Sequence, residues 1–195
     1  MRNIFLVLMI MMSCKSFPQT NCSQYTILPL RTYTDIPEDQ CYYLKDTNNE
    51  LQAFVGTWKG VWNGKTIFIS FKKVANKYKE GLNFNTDIII GKFKTVDSNG
   101  NILFNNLQIA DDDAKMEGLG FINMTDKYIV TYYDEDVCDM SGTIYLTFAN
   151  AAKTQLHFSF NQRNEVLTSD CYFHGWPQAD RPEPLPNPDI ILTKQ

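Results

Sequence analysis

The sequence predicts an all-β protein, an antiparallel up-and-down barrel of about eight to ten strands. Three observations carry this. Short runs rich in β-branched and aromatic residues recur at near-regular spacing between turn signals. No long stretch places apolar residues at helical spacing. Asn63-Gly64 lies between two of the runs, and both residues tolerate the positive φ that a type I′ hairpin turn needs to match strand twist.

Residues 1–13 read as a targeting segment. Arg2 supplies positive charge, and the apolar run 4–12 is shorter than the roughly 20 residues a membrane-spanning helix needs. The run ends at Ser13-Cys14. It resembles a bacterial lipoprotein signal, in which Cys14 becomes the acylated first residue of the mature chain, although Met11 and Met12 depart from the usual pattern. An ordinary secretory peptide cut near Gln19 is the alternative. Cysteine counting fits the lipoprotein reading: of five cysteines, acylation of Cys14 leaves Cys22, Cys41, Cys138 and Cys171 in an oxidising compartment. Four cysteines allow three pairings, and proximity in sequence favours Cys22–Cys41 and Cys138–Cys171. No Cys-x-x-Cys spacing suggests a redox or zinc site.

Residues 14–46 hold Pro18, Pro29 and Pro37 and little regular pattern. They are expected to form a tether and then a strap along a single barrel domain, residues 47–195. Thr47-Asn48-Asn49-Glu50 fits a capping box for a short helical turn carrying Leu51 and Phe54, with Gly56 as its stop. Gly56-Thr57-Trp58 then opens the first barrel strand. A helical turn, Gly-x-Trp and a meander resemble the start of lipocalins and other calycins. That resemblance implies that Trp58 closes one barrel end under a basic side chain, a role Lys194 in the final strand would fill. Without it, Trp58 is one more core aromatic.

After Asn63-Gly64, strands are expected over 65–74, 87–96, 101–107, 116–124, 128–133, 142–149, about 156–161 and 190–193. Asp97-Ser98-Asn99-Gly100 and Thr125-Asp126-Lys127 are among the turns. With 13 Phe and 10 Tyr, the chain has enough aromatic bulk to fill a small barrel without leaving a cavity. Residues 172–189 break the pattern. Pro182, Pro184, Pro186 and Pro188 exclude helix and central strand alike. This segment reads as an extended connector, and Tyr172, His174 and Trp176 make it a candidate binding lip at the barrel mouth.

The chemistry is sparse. The net charge is −4, from 18 basic and 22 acidic residues, with no basic stripe; nucleic acid is not an expected partner. The two histidines are His157, on the wet face of its strand, and His174. Nucleophile-elbow, zincin and phosphate-loop motifs are absent. The carboxylates of residues 134–139 lack the spacing and glycine of an EF-hand, and they read as a charged turn, as do Asp111–Asp113. No catalytic residue, metal or cofactor is assigned.

Several short motifs lie along the chain: Ser13-Cys14-Lys15, Leu28-Pro29-Leu30, Lys45 through Leu51, Gly56 through Gly60, Ile89 through Lys92, Asp97 through Asn101, and Leu192 through Gln195. Together they resemble a family of uncharacterised bacterial lipoproteins carrying a domain of unknown function. That resemblance implies a lipid-anchored address in the cell envelope and brings no activity. The expected function is a binding module for a small apolar ligand or an envelope partner. The alternatives are a hydrolase using carboxylates near one barrel mouth with His174, and an immunity or assembly protein.

Overall fold

The computed structural model describes residues 22, 24–36, 41–79, 84–163 and 167–195. The expected signal segment and Cys14 lie outside them. The strands are β1 (Thr26–Pro29), β2 (Tyr42–Lys45), β3 (Gly56–Trp62), β4 (Lys65–Lys79), β5 (Phe84–Val96), β6 (Ile102–Asn105), β7 (Met116–Phe121), β8 (Tyr128–Asp134), β9 (Met140–Phe148), β10 (Gln155–Gln162) and β11 (Ile190–Lys194). Among the described residues the only helical elements are 3₁₀ turns of three residues.

Eight strands close a barrel in the order β3-β4-β5-β7-β8-β9-β10-β11, and every neighbouring pair is antiparallel. The β3–β4 connection is the expected turn, with Asn63 and Gly64 both at positive φ (43° and 74°). Closure is brief at the seam, where Thr193 pairs with Lys59 and Lys194 with Trp58. One edge of β5 serves three partners in succession: β2 at Asn85 and Thr86, β7 at Ile90 and Gly91, and β6 from Lys94 to Val96. Edges that would invite association are thereby largely paired.

Side chains alternate as a closed sheet requires. Trp58, Gly60 and Trp62 of β3 point in, while Thr57, Lys59 and Val61 point out. Leu156, Phe158 and Phe160 of β10 are buried and His157 is exposed. The interior is solid. Trp58, Ile67, Ile69, Tyr128, Val130, Ile144, Leu146, Leu156, Phe158 and Leu192 are wholly shielded from solvent. Glycines face inward where rings and branched aliphatic side chains need the space. A Cβ on Gly91 would stand 2.8 Å from Phe71 Cε1, one on Gly60 would stand 2.6 Å from Ile190 Cδ1, and those on Gly118 and Gly142 would strike the rings of Tyr128 and Phe160. Aromatic bulk thus replaces the ligand cavity that a barrel of this strand number is able to hold.

Three local expectations are corrected. The capping box does not form: Glu50 precedes the 3₁₀ turn Leu51–Ala53 without a side-chain cap bond. Instead the Asp46 carboxylate accepts from the backbone N–H of Glu50 (2.7 Å) and Leu51 (3.0 Å). The strap is not irregular throughout, because β1 and β2 pair in parallel and β2 adds to β5. Finally, β4 continues past Val74 to Lys79. A bulge at residues 75 and 76, with Asn76 at φ 57°, lets it run on against β5.

That bulge supports a polar latch. Asp87, 3 % exposed, accepts from the Asn76 N–H (3.0 Å), the Tyr43 hydroxyl (2.5 Å) and the Asp46 N–H (3.0 Å). Lys73 donates to Asp46 at 2.7 Å and lies 3.8 Å from Asp87. The cost of burying two carboxylates is offset because backbone donors and one cation satisfy them. On the far side of the strap, Arg31 donates to Glu50 (2.7 Å), the Thr125 carbonyl (2.6 Å) and Asp126 (2.9 Å), and its guanidinium stacks 3.8 Å over the Phe121 ring.

Two outcomes are expected. Gly118→Val lowers unfolding stability by about 1–3 kcal/mol through overpacking, read by urea denaturation. Unchanged stability would mean slack around Tyr128. Burial first, and then the Asp87 hydrogen bond, push the Tyr43 hydroxyl up to about 12 from its ordinary 10.0. The folded-state value is the raised one, so this contribution is fully present below pH 10 and is lost as pH rises through about 12. Denaturation midpoints across that window fall with pH in the native protein and flatten in Tyr43→Phe.

Candidate functional site

The two barrel ends differ. One is closed by rings: Phe54 packs at 4.6 Å on Phe148 and 5.4 Å on Tyr128, with Phe121 at 6.3 Å. Trp58 sits inside this cluster, wholly buried, and its Nε1–H donates to the Phe54 carbonyl at 2.7 Å. Lys194 lies 5.2 Å from the Trp58 ring centroid and donates to the Ala53 carbonyl at 3.0 Å. Gly56 has φ 124°, and a Cβ there would stand 3.2 Å from Lys194 Cε, so glycine suits both the backbone and the lysine's path. Gly56, Trp58 and Lys194 therefore meet at one place, and no chemistry is open there.

The other end carries the loops. The 3₁₀ turn Glu135–Val137 follows β8, and its entry is capped by Asp134, which accepts from the Asp136 N–H (3.1 Å) and the Tyr132 hydroxyl (3.0 Å). Lys115 holds Asp134 and Asp136 at 3.1 and 3.0 Å. Burial would lower the Lys115 ammonium, but its bonds to Asp136 and Asp134 outweigh that and raise it. Cys138 and Asp139 both take left-handed backbone (φ 54° and 60°), which turns the chain into β9.

Cys138 is bonded to Cys171, with a Cα separation of 5.5 Å, and Cys22 to Cys41, at 5.6 Å. The first bond staples the segment after β10 across the mouth. Phe173 and Leu185, each 2 % exposed, drop into the opening, and the Thr95 hydroxyl donates to the Pro184 carbonyl at 2.9 Å. The proline-rich connector is thus a fixed lid.

Two clefts flank the lid. The smaller, about 520 Å³, is lined by Glu135, Asp136, Asp139, Asp170, Arg163 and Tyr172 along the disulfide. The larger, about 700 Å³, lies under the proline segment and is lined by Asn161, Gln162, Arg163, Gln178, Arg181 and Asn187 over Phe160 and Phe173. Glu183 also lines it and is held by Lys65 at 2.9 Å. Lys65 in turn lies 5.6 Å from the Trp62 ring, whose buried Nε1 has no acceptor among the described residues. A third hollow, about 330 Å³, lies on the outer sheet face. Its Lys72 and Lys92 are both committed to Asp111, whose carboxyl those two hydrogen bonds hold down at about 2.

Of the lip residues, Tyr172 and Trp176 are exposed and stack edge-on at 6.2 Å. Burial, with a lesser push from Asp134, raises the Tyr172 hydroxyl. His174 is turned away from this chemistry. Its Nδ1–H donates to the Leu167 carbonyl at 3.1 Å, and it lines neither rim cleft. Among the described residues no group of three or more histidine, cysteine or carboxylate side chains is arranged to hold a metal ion. The sequence reading passed over Arg163 and Arg181, which carry no motif and are brought together only by the lid.

One family profile spans residues 1–195. The chain belongs to DUF6705, a family of unknown function. No curated protein and no solved structure matches it. Family membership therefore brings no activity, and the site has to be read from its own geometry.

Removing the Cys138–Cys171 staple by a double serine substitution is expected to cost about 3–4 kcal/mol, given the loop it closes. It should also raise proteolysis within 167–189, measured by limited digestion and peptide mapping. Equal digestion rates would show that Phe173 and Leu185 hold the lid unaided.

Proposed function

We propose that this protein is a binding module tethered to the cell envelope by an acylated Cys14, and that its working surface is the stapled rim of the barrel. The observation that carries the second half is the filled interior. Among the described residues fourteen core side chains have no exposure at all, and inward glycines sit against rings and branched aliphatic side chains, so an apolar ligand has no room among them. The rim, by contrast, combines exposed aromatics, polar side chains and two clefts within the size range of ligand sites.

The tether rests on the sequence: a short apolar run ending in Ser13-Cys14, and a cysteine count that is even once Cys14 is set aside. Both remaining pairs form disulfides, as suits an oxidising compartment. The hydrolytic alternative has little support, since His174 points elsewhere and Asp134 is spent on capping.

Expressed in a bacterial host, the native chain should partition with membranes and carry the mass of its acyl groups. Cys14→Ser should lose both. A native chain that is soluble and unmodified would overturn the tether. Native mass spectrometry after exposure to a lipid extract should find no apolar molecule retained in the barrel, and a stoichiometric one would overturn the rim reading.

A further inference from the structure

The larger rim cleft is chemically one-sided. Arg163 and Arg181 both line it, and among the described residues neither guanidinium is paired with a carboxylate. Among the described residues Arg181 donates through its Nε–H to the Trp176 carbonyl at 3.2 Å. The carboxylate in the lining, Glu183, is engaged by Lys65. In a chain of net charge −4, two guanidiniums at one cleft with no carboxylate partner among the described residues are not a by-product of composition.

The rest of the lining is as selective. Asn161, Gln162 and Gln178 present carboxamides, each able to donate and accept, which matches hydroxyl groups. Phe160 and Phe173 form a buried floor. A guanidinium fork fits the oxyanions of carboxylate and phosphate, and two forks on an otherwise acidic protein suit one anionic group better than a polyanion. A fatty acid would leave the carboxamides unpaired, at a cost.

We infer that this cleft binds an acidic saccharide. The sugar's oxyanion, carboxylate or phosphate, sits on Arg163 and Arg181, its hydroxyls on the carboxamides, and a ring face on the apolar floor. This assignment rests on the rim reading above and gives it a ligand class.

The test is calorimetric titration of the full mature chain in detergent with four probes. These are a uronic-acid oligosaccharide, a phosphorylated oligosaccharide, a neutral oligosaccharide of the same length and an acidic peptide of matched charge. One of the two acidic saccharides should bind, which identifies the oxyanion. The neutral sugar and the peptide should each bind at least about tenfold more weakly, because the arginines or the carboxamides are then left unpaired. Arg163→Gln and Arg181→Gln should each weaken binding by about tenfold or more while the thermal midpoint stays put. If either variant folds poorly, the salt dependence of the native protein serves instead: affinity should fall as ionic strength rises.

Equal binding of the neutral sugar, preference for the peptide, or silence from both acidic saccharides would overturn the assignment. A neutral sugar bound and then released by Asn161→Ala would overturn the acidic class and leave the rim as the working surface. A saccharide whose affinity no rim substitution alters would overturn both.

Discussion

The barrel depends on how it is shut. Its first and last strands share only two register pairs, a short run of hydrogen bonds for joining the ends of an eight-stranded sheet. The Trp58 indole makes up the difference. It is fixed by its bond to the Phe54 carbonyl, packed on Phe148 and covered by Lys194, which itself reaches back to Ala53. One ring thereby ties β3, β11 and the 3₁₀ turn together. A cation over the face of a buried tryptophan adds attraction where solvent screens it least. Exchanging the lysine for an uncharged residue would cost both the ring contact and the carbonyl's partner.

Once the seam is shut, the interior is settled by volume. Rings on one strand occupy the space vacated by glycine on another, as Tyr128 does against Gly118 and Phe160 against Gly142. Such packing specifies register, since sliding a strand by one residue would push a ring into backbone. It also removes the interior as a working space and leaves the loops as the adaptable part, which is where binding residues concentrate on rigid scaffolds. The stapled lid follows this division. Its buried side, Phe173 and Leu185, belongs to the core, and its outer side carries Tyr172, Trp176 and Arg181.

Much of the barrel was legible in the sequence because its determinants are local. Asn63-Gly64 dictates a turn, alternation in residues 156–161 dictates a half-buried strand, and Gly56-Thr57-Trp58 marks the start of the meander. What was missed depends on contacts distant in sequence. Thr47 looked like a cap, but Asp46 took that role because it also reaches Lys73. The parallel pairing of β1 and β2 cannot be read from two four-residue runs, since the bonds that justify them come from β5. Asp87 reads as the first residue of a strand, yet it is buried opposite a bulge that no pattern announces. Arg163 and Arg181 stand 18 positions apart in unpatterned sequence, and it is the folded lid, held by the Cys138–Cys171 bond, by buried Phe173 and Leu185 and by Thr95, that brings their segments to one cleft.

The bond between Cys22 and Cys41 has a mechanical meaning. A pull on the amino terminus has a second path beside the one through β1. It crosses the sulfur bridge and enters the fold at the residue just before β2. From there it loads β2, whose parallel ladder to β5 and the Tyr43–Asp87 bond share the strain. The bridge thus divides the load between β2 and the segment of β1 and Arg31, which grips the barrel end through Thr125 and Phe121.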